Sequence, residues 1–458
     1  MTPSAEIFRA YDIRGVVSTQ LTPDVVRQVG QAFGSECLQR GMTKAVVARD
    51  GRVSGPELVA ALTDGITSTG IDVIDIGMVP TPVLYFATHH LETGTGVMVT
   101  GSHNPPEYNG LKMMVEGGAL FGDGITGLYE RITSNNLTTG SGTRSEADVM
   151  EAYLDRILGD INIKRPMRIA YDCGNGVAGV CAPQLFDRLG CESVPLFTDV
   201  DGTFPNHHPD PAKEANLVDI KKAVADNQLE IGLAFDGDGD RVGVIDNNGA
   251  IIWPDRQMIL YSQDVLSRKP GARIIYDVKC SKLLPEAIRA AGGEPEMYKT
   301  GHSFIKKRMK ETGAELGGEM SGHIFFKERW YGFDDALYSA ARLLEILSAD
   351  PRPASEIFGA IPDSVNTPEI NIKFAVDGAH HDFMKEFVEK SDFNGANITT
   401  IDGLRADFDN GWGLVRASNT TPSLVIRFEA DSEAAIAEIQ QRFSSAMKAV
   451  DENIEIPF

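Results

Sequence analysis

Lys44-Ala45-Val46-Val47-Ala48-Arg49-Asp50-Gly51-Arg52 (residues 44–52) sets a pattern that the chain states three times. Ala45 to Ala48 is a short apolar run of the kind a buried parallel strand requires, and Arg49-Asp50-Gly51-Arg52 stops it with a polar loop. A helical pattern runs from there to Gly70, and a second strand follows at Ile71 to Ile76. The same order returns from Met167. A strand to Tyr171 ends at Asp172, a glycine-rich loop and a helix lead to Gly190, and Ser193 to Phe197 is the next strand. It returns again at Arg273 to Tyr276, ending at Asp277, with Lys279-Cys280-Ser281 in the loop, a helix to Gly292 and a strand near Met297. Self-similarity of strand, Asp-bearing loop, helix, glycine and strand implies three related α/β units, each with a largely parallel sheet.

Each unit supplies one further strand that ends in a polar loop: Thr100-Gly101-Ser102-His103-Asn104, Asp236-Gly237-Asp238-Gly239-Asp240-Arg241, and Gly318-Glu319-Met320-Ser321-Gly322-His323. Open α/β sheets bind ligands at the carboxyl edge of their strands, so three such units meeting edge to edge aim all three loops at one cleft. The texture changes after Ala354. Glu369 to Phe374, Ile398 to Ile401, Leu404 to Asp407 and Ser423 to Phe428 read as strands, with helices at His380 to Lys390 and Ser432 to Val450. The expected fold is α/β, with three related αβα domains carrying mixed, largely parallel sheets, plus a smaller C-terminal α+β domain, the four arranged around one central cleft. Boundaries are expected at 1–150, 151–253, 254–362 and 363–458.

The loops carry the chemistry. Ser102 sits where the apolar run Val97-Met98-Val99 breaks at Gly101, Asn104, Pro105 and Pro106, which places a hydroxyl at a strand's carboxyl end; turn chemistry alone is the competing account. Asp236, Asp238 and Asp240 alternate with glycine between two apolar strands. Three carboxylates so close repel one another unless a cation neutralises them, and hard oxygen ligands select Mg²⁺ or Ca²⁺. An EF-hand is excluded, because Arg241 and Asn247 stand where that loop needs Gly and Glu. An extended backbone at Glu319 to His323 would turn Glu319, Ser321 and His323 to one face, a set suited to sugar hydroxyls. Trp330 and Tyr331 either line that site or belong to domain contacts. Arg416-Ala417-Ser418-Asn419-Thr420-Thr421-Pro422 offers a guanidinium fork, hydroxyls and closely spaced amides, the makings of a phosphate cradle. Arg427 beyond it reads as an exposed strand position.

Two motifs are decoys. Gly174-Asn175-Gly176-Val177-Ala178-Gly179 matches a dinucleotide fingerprint, but every unit turns at this place, so tight strand–helix packing accounts for the glycines. Ser102 lies in Thr-Gly-Ser-His-Asn, which is no serine-hydrolase elbow.

Composition narrows the class. The 458 residues suggest several domains, and 42% apolar with 24% charged residues is ordinary for a globular protein. No run approaches the ~18 apolar residues of a membrane helix, and the start, Met1 to Arg14, lacks the features of a secretory signal. A cytoplasmic enzyme without membrane partner is expected. Five scattered cysteines, with no C-x-x-C pair, indicate neither a disulfide framework nor a zinc site. A net charge of −22 argues against nucleic acid, so an anionic substrate must find a local positive pocket, for which Arg14, Lys112, Arg241, Lys279 and Arg416 are candidates.

Taken in order, Thr100 to Pro105, Asp236 to Arg241, Gly318 to His323 and Arg416 to Thr421 resemble the motifs of the α-D-phosphohexomutase superfamily, over the whole chain. Gly-Glu-Met-Ser-Gly-His resembles the bacterial phosphomannomutase/phosphoglucomutase branch, as does Phe8-Arg9-Ala10-Tyr11-Asp12-Ile13-Arg14-Gly15; the phosphoglucosamine branch typically carries Gln where Met320 stands. The resemblance implies reversible movement of phosphate between the 1 and 6 positions of a hexose through a hexose 1,6-bisphosphate. It implies that Ser102 carries the phosphoryl group beside His103, and that one Mg²⁺ is held by Asp236, Asp238, Asp240 and an oxygen on Ser102. Arg241 and Lys112 steady the developing charge, and Lys112, His323 and Arg14 are all candidates for proton transfer. Tyr11, Lys279, His302, Glu319, Ser321 and His323 then meet the sugar, and Arg416, Ser418, Asn419, Thr420 and Thr421 grip the phosphate that does not react. The four domains are respectively phosphoserine-bearing, metal-binding, sugar-binding and phosphate-binding. A monomer acting on small hexose phosphates is expected. A phosphoglucosamine mutase, a Mg²⁺-dependent sugar phosphatase and a non-enzymatic sugar-phosphate sensor remain as alternatives.

Overall fold

A computed structural model describes residues 2–376, 378–419 and 421–458. Its organising feature is the repeat. In the first unit, strand Lys44–Arg49 pairs in parallel with Asp72–Met78 on one side and with Gly96–Val99 on the other. The chain then reverses into Tyr108–Val115, antiparallel to Gly96–Val99, and Ile13–Val16 closes that edge. The second unit pairs Arg168–Asp172 in parallel with Glu192–Leu196 and Ile231–Phe235, then turns back antiparallel at Val242–Asp246. The third does the same with Arg273–Asp277, Glu294–Tyr298 and Leu316–Gly318, then Ile324–Phe326. Each unit therefore places the end of its first strand beside the end of its third, where connections leave in opposite directions. That switch point is where open α/β sheets bind ligands.

The strands form because they are apolar and covered on both faces. Val46, Val47 and Ala48, like Val97, Met98 and Val99, are fully buried. One hydrophobic core covers one face of the first sheet and continues through the second and third units, while a separate core lies under helices Pro23–Gln39 and Gly55–Thr67. Thr22 starts the first of these helices by accepting the Val25 N–H, with Pro23 at its first position.

The fourth unit is an antiparallel sheet, in order Val365–Asn366, Ser423–Ala430, Gly411–Ala417, Leu404–Phe408 and Asn397–Thr399, with Ile370–Lys373 also on Ser423–Ala430. Helices Ala379–Lys390 and Glu433–Val450 cover one face with a core of their own. Strand Gly411–Ala417 departs from the sequence reading: two glycines around Trp412 mask its pattern, and Arg416 lies on this strand rather than in a loop. Arg427 is another departure. It is 3% exposed and donates to Asp255 and to the Lys279 carbonyl, joining the fourth unit to the third. Four cysteines are buried and Cys191 is half-buried, all as free thiols. Among the described residues no helix is long and apolar enough to cross a membrane.

Candidate active site

Ser102 is held by its neighbours in a costly conformation. Its φ of 49° lies in the left-handed region that a non-glycine residue avoids, and it is 1% exposed. Arg52 fixes this shape. Its two terminal nitrogens donate to the carbonyls of Ser102, Asn104, Pro105 and Tyr108 at 2.7 to 2.9 Å, and its Nε reaches Asp50 Oδ2 at 3.2 Å. Asp50 in turn accepts from Thr100 Oγ1 at 2.8 Å and from the Gly101 N–H at 3.2 Å. Gly101 must be glycine, since a Cβ there would lie 2.4 Å from the Arg52 guanidinium carbon. The first-strand Asp and the third-strand loop are thus tied together across the switch point. Sequence reading placed Arg52 in the repeated loop and missed this role; an arginine two residues after the strand-ending Asp was the available signal.

Ser102 Oγ lies 3.2 Å from Asp236 Oδ2 and 3.1 Å from His103 Nδ1. The serine loop and the acidic loop touch: a Cβ on Gly237 would sit 2.4 Å from the Ser102 carbonyl oxygen. Asp236, Asp238 and Asp240 are completely buried, and one oxygen from each lies within 4.8 Å of the others. Asp236 Oδ1 accepts the N–H groups of Asp240 and Arg241, both at 3.1 Å. Lys112 Nζ donates to Asp238 Oδ2 at 2.7 Å and Asp240 Oδ2 at 2.5 Å, and Thr81 also donates to Asp238 Oδ2. Asp238 Oδ1 and Asp240 Oδ1 are buried without a hydrogen-bond partner among the described residues. Buried, orphaned carboxylate oxygens at this spacing fit a hard divalent cation.

The charges are shared unevenly. Burial and then the charges of Asp238 and Asp240 push the Asp236 carboxyl well above the usual range. Burial acts on Asp240 too, but Lys112 and His323 outweigh it and hold that carboxyl well below. Burial likewise opposes the Lys112 charge, yet Asp238 and Asp240 keep its ammonium protonated well above the ordinary value. Burial, with Arg241, Arg14 and Lys112 nearby, drives His103 well down, so its ring is neutral.

The third loop is a tight turn, not the extended segment the sequence suggests: Glu319 and Gly322 share a turn hydrogen bond, and the Glu319 N–H donates to the His323 carbonyl. The three side chains still converge. His323 Nδ1 lies 3.0 Å from both Glu319 Oε2 and Ser321 Oγ. Its Nε2 is 3.3 Å from Asp240 Oδ1 and 3.2 Å from Arg241 Nε, which links this loop to the acidic one. Burial and Arg241 press the His323 pKa down, but Asp240 and Glu319 prevail and raise it to about 9. His302 stacks on it with ring centroids 5.4 Å apart, and burial, then Lys306 and Lys112, drive His302 well below its ordinary value. Trp330 and Tyr331 do not line this turn: Trp330 stacks on Tyr338 of its own unit and meets Tyr153 of the second edge-on, and Tyr331 stacks on His89 of the first.

Arg14 donates to Asp12 Oδ2 and to Asn104 Oδ1, bracing the serine loop. Tyr11 donates to the Thr300 carbonyl at 2.9 Å and receives a hydrogen bond from Asn419, so the first, third and fourth units meet there. Arg416 Nε donates to Asp402 Oδ2 at 2.9 Å; the same carboxylate oxygen accepts the Thr300 N–H. Lys279 Nζ pairs with Glu369 at 3.1 Å. Ser418 Oγ accepts from the Thr421 N–H and hydroxyl. Thr420 lies outside the described residues. Beyond Arg52, the sequence reading missed Asp334, Lys306, Asp402 and Glu369, charged partners scattered outside any motif.

Four family models match the chain in order. These are phosphoglucomutase/phosphomannomutase alpha/beta/alpha domain I at residues 5–138, domain II at 151–249, domain III at 253–365 and the C-terminal domain at 369–446. A phosphomannomutase/phosphoglucomutase from Pseudomonas aeruginosa PAO1 is 54% identical over 457 residues, covering 100% of this chain and 98% of that protein. A phosphoglucomutase from Neisseria meningitidis serogroup A is 52% identical, covering 97% of each chain. The solved structure of a phosphoglucomutase/phosphomannomutase family protein from Burkholderia thailandensis superposes with a TM-score of 0.95 at 52% identity, covering 100% of both chains.

Proposed function

Since the chain belongs to the phosphoglucomutase/phosphomannomutase family, we propose that it moves phosphate reversibly between the 1 and 6 positions of glucose or mannose, through a phosphoryl group on Ser102 and a hexose 1,6-bisphosphate. The observation that carries this reading is the pairing of two separate ends: Ser102 against the buried acidic triplet, and Arg416 on the fourth unit, with Tyr11 and Asn419 between the units. A phosphatase needs the first end only. We assign the domains to 1–150, 151–253, 254–362 and 363–458, with the serine, metal, sugar and anchoring-phosphate roles in that order.

Asp236, Asp238 and Asp240 would hold one Mg²⁺ together with an oxygen on Ser102, and the ion supplies Lewis-acid neutralisation of phosphoryl charge. The protein's own groups do the rest. In the first transfer a sugar hydroxyl oxygen forms a bond to phosphorus as the bond from phosphorus to Ser102 Oγ breaks; the hydroxyl's proton passes to Lys112 or His323, after that group has released its own, and Ser102 Oγ takes up a proton from His103 as it leaves. In the second, Ser102 Oγ attacks the other phosphate of the bisphosphate. Its proton passes to the neutral His103 ring at 3.1 Å, and the departing sugar oxygen takes a proton from Lys112 or His323. Both donors hold their protons at neutral pH. Arg14, paired with Asp12 and donating to Asn104, positions the loop. Arg241 offers fixed positive charge to the transferring group, while Glu319, Ser321, His302 and Lys279 bind the sugar. Arg416, Ser418, Asn419, Thr420 and Thr421 anchor the idle phosphate.

The bisphosphate must turn round between the two transfers. The fourth unit has its own core and meets the third through polar contacts such as Arg405 to the Val278 and Cys280 carbonyls and through a small apolar patch of Trp412 and Leu414 against Val278 and Met297, so opening would expose only that limited apolar surface. We assign the enzyme to the cytoplasm as a monomer. Incubation with glucose 1-phosphate and Mg²⁺ tests the reading: the product is glucose 6-phosphate, whereas free phosphate would mark a phosphatase. A glucosamine phosphate turned over in preference to glucose and mannose phosphates would favour the phosphoglucosamine alternative.

A further inference from the structure

Asp240 belongs to a second cluster. Its ligand atom, one on His323 and one on Asp334 all lie within 4.8 Å of one another, and the three residues are buried. The separations are 3.3 Å from His323 Nε2 to Asp240 Oδ1 and 3.8 Å from His323 Nε2 to Asp334 Oδ2. His302 Nδ1 borders the same Asp334 oxygen at 3.6 Å. Zinc bonds of about 2.0–2.2 Å in a tetrahedron set ligand atoms about 3.3–3.6 Å apart, close to these values. Asp240 Oδ1, Asp334 Oδ2 and His302 Nδ1 are all buried without a hydrogen-bond partner among the described residues, although the other Asp334 oxygen accepts from Lys306 at 2.7 Å. Their contacts are limited to the long imidazole–carboxylate approaches of 3.3 to 3.8 Å given above, and buried polar atoms so loosely satisfied are costly. The surroundings also suit a metal. His323 gives its Nδ1 side to Glu319 at 3.0 Å, which leaves Nε2 as the ligand atom in the usual carboxylate–histidine–metal relation. Lys306 steadies Asp334 in the same way, and only the Arg241 Nε contact to His323 Nε2 must give way.

We propose that Asp240, His323 and Asp334, with His302 as the fourth ligand, form a site for a zinc-class divalent cation that adjoins the all-carboxylate site and shares Asp240 with it as a bridging carboxylate. Two imidazoles and two carboxylates favour Zn²⁺ or Co²⁺, whereas Mg²⁺ prefers oxygen ligands in octahedral geometry. A bound ion would tie up His323 and His302, so zinc should inhibit turnover; that consequence rests on the function proposed above, while binding does not.

The test is metal binding by the full chain, followed by calorimetry with Zn²⁺ and by the visible absorption of tetrahedral Co²⁺, in saturating Mg²⁺. One zinc or cobalt ion is expected to bind under these conditions. His302→Gln and Asp334→Asn should each weaken it about tenfold or more and leave Mg²⁺ affinity unchanged. Asp238→Asn should do the reverse. Asp334 is buried against Lys306, so if Asp334→Asn does not fold, His302→Gln decides. Zinc that saturating Mg²⁺ wholly displaces, or that binds both variants with undiminished affinity, overturns the proposal.

Discussion

Replacing Arg52 by Lys keeps the charge beside Asp50 but removes the fork that shapes the Ser102 loop. Arg52 uses its donors on four loop carbonyls and one carboxylate. A lysine has three donors, so at least two of these five contacts are lost. A buried acceptor left unpaired costs about 1–3 kcal/mol, which puts the penalty on the loop's native shape at about 2–6 kcal/mol. Ser102 already sits at an unfavourable φ of 49°, so the loop has a lower-energy conformation available once its braces are cut. If only about 2 kcal/mol reaches the transition state, kcat falls about 30-fold at ~1.4 kcal/mol per tenfold. KM for glucose 1-phosphate and the Mg²⁺ midpoint should stay near wild type, because the groups assigned to sugar, anchoring phosphate and metal are elsewhere. Gly101→Ala attacks the same contact from the other side, with a methyl aimed at the guanidinium, and should reproduce this split of kcat from KM. Steady-state kinetics of both variants checks it. Arg52→Lys with kcat within about threefold of wild type would refute the claim that these hydrogen bonds hold Ser102 in its working position.

Asp238→Asn removes one charged ligand and one partner of Lys112, so a Mg²⁺ titration of turnover should shift to higher concentration with a lower plateau; an unchanged curve counts against the triplet as the metal site. Arg416→Ala removes a charge-assisted grip worth about 1.5–3 kcal/mol, so kcat/KM for glucose 1-phosphate should fall roughly 10- to 100-fold. Added glucose 1,6-bisphosphate should restore part of that rate while Ser102 stays phosphorylated; full activity without it, or loss of the phosphoryl group, contradicts an anchoring role. His323 titrates at about 9 in the fold against 6.5 when free, so the stability its charge contributes is complete below the free value and lost as pH rises through about 9. Protonated His323 is also a proposed donor, so activity should decline over the same alkaline window, and a His323→Gln variant that keeps the full alkaline decline would assign it elsewhere.

The repeat was legible because it is written in local pattern. Val46 to Ala48 and Val97 to Val99 are apolar runs bounded by Asp50 and Gly101, and buried parallel strands leave that signature. The acidic loop was legible for a different reason, since Asp236, Asp238 and Asp240 have no business together without a counter-charge. What stayed hidden depends on contacts between distant segments. Arg52 works on carbonyls 50 to 56 residues away, and Asp402 joins Arg416 to Thr300 across 102 residues. Strand Gly411–Ala417 escaped notice because two glycines flank Trp412, whose indole is covered by Arg405 at 3.8 Å, a pairing no periodicity encodes. Arg427 looked exposed from strand alternation, but both faces of Ser423–Ala430 are covered, one by helices and the other by the third unit.

The central claim, that Ser102 carries the phosphoryl group, is tested most directly by intact-protein mass after incubation with glucose 1,6-bisphosphate and Mg²⁺. Wild type should gain one phosphoryl group, which peptide mapping places on Ser102 and which a hexose monophosphate removes. Ser102→Ala should gain none, fold normally and lose nearly all turnover. The same adduct on Ser102→Ala, or undiminished mutase turnover by that variant, would contradict the account.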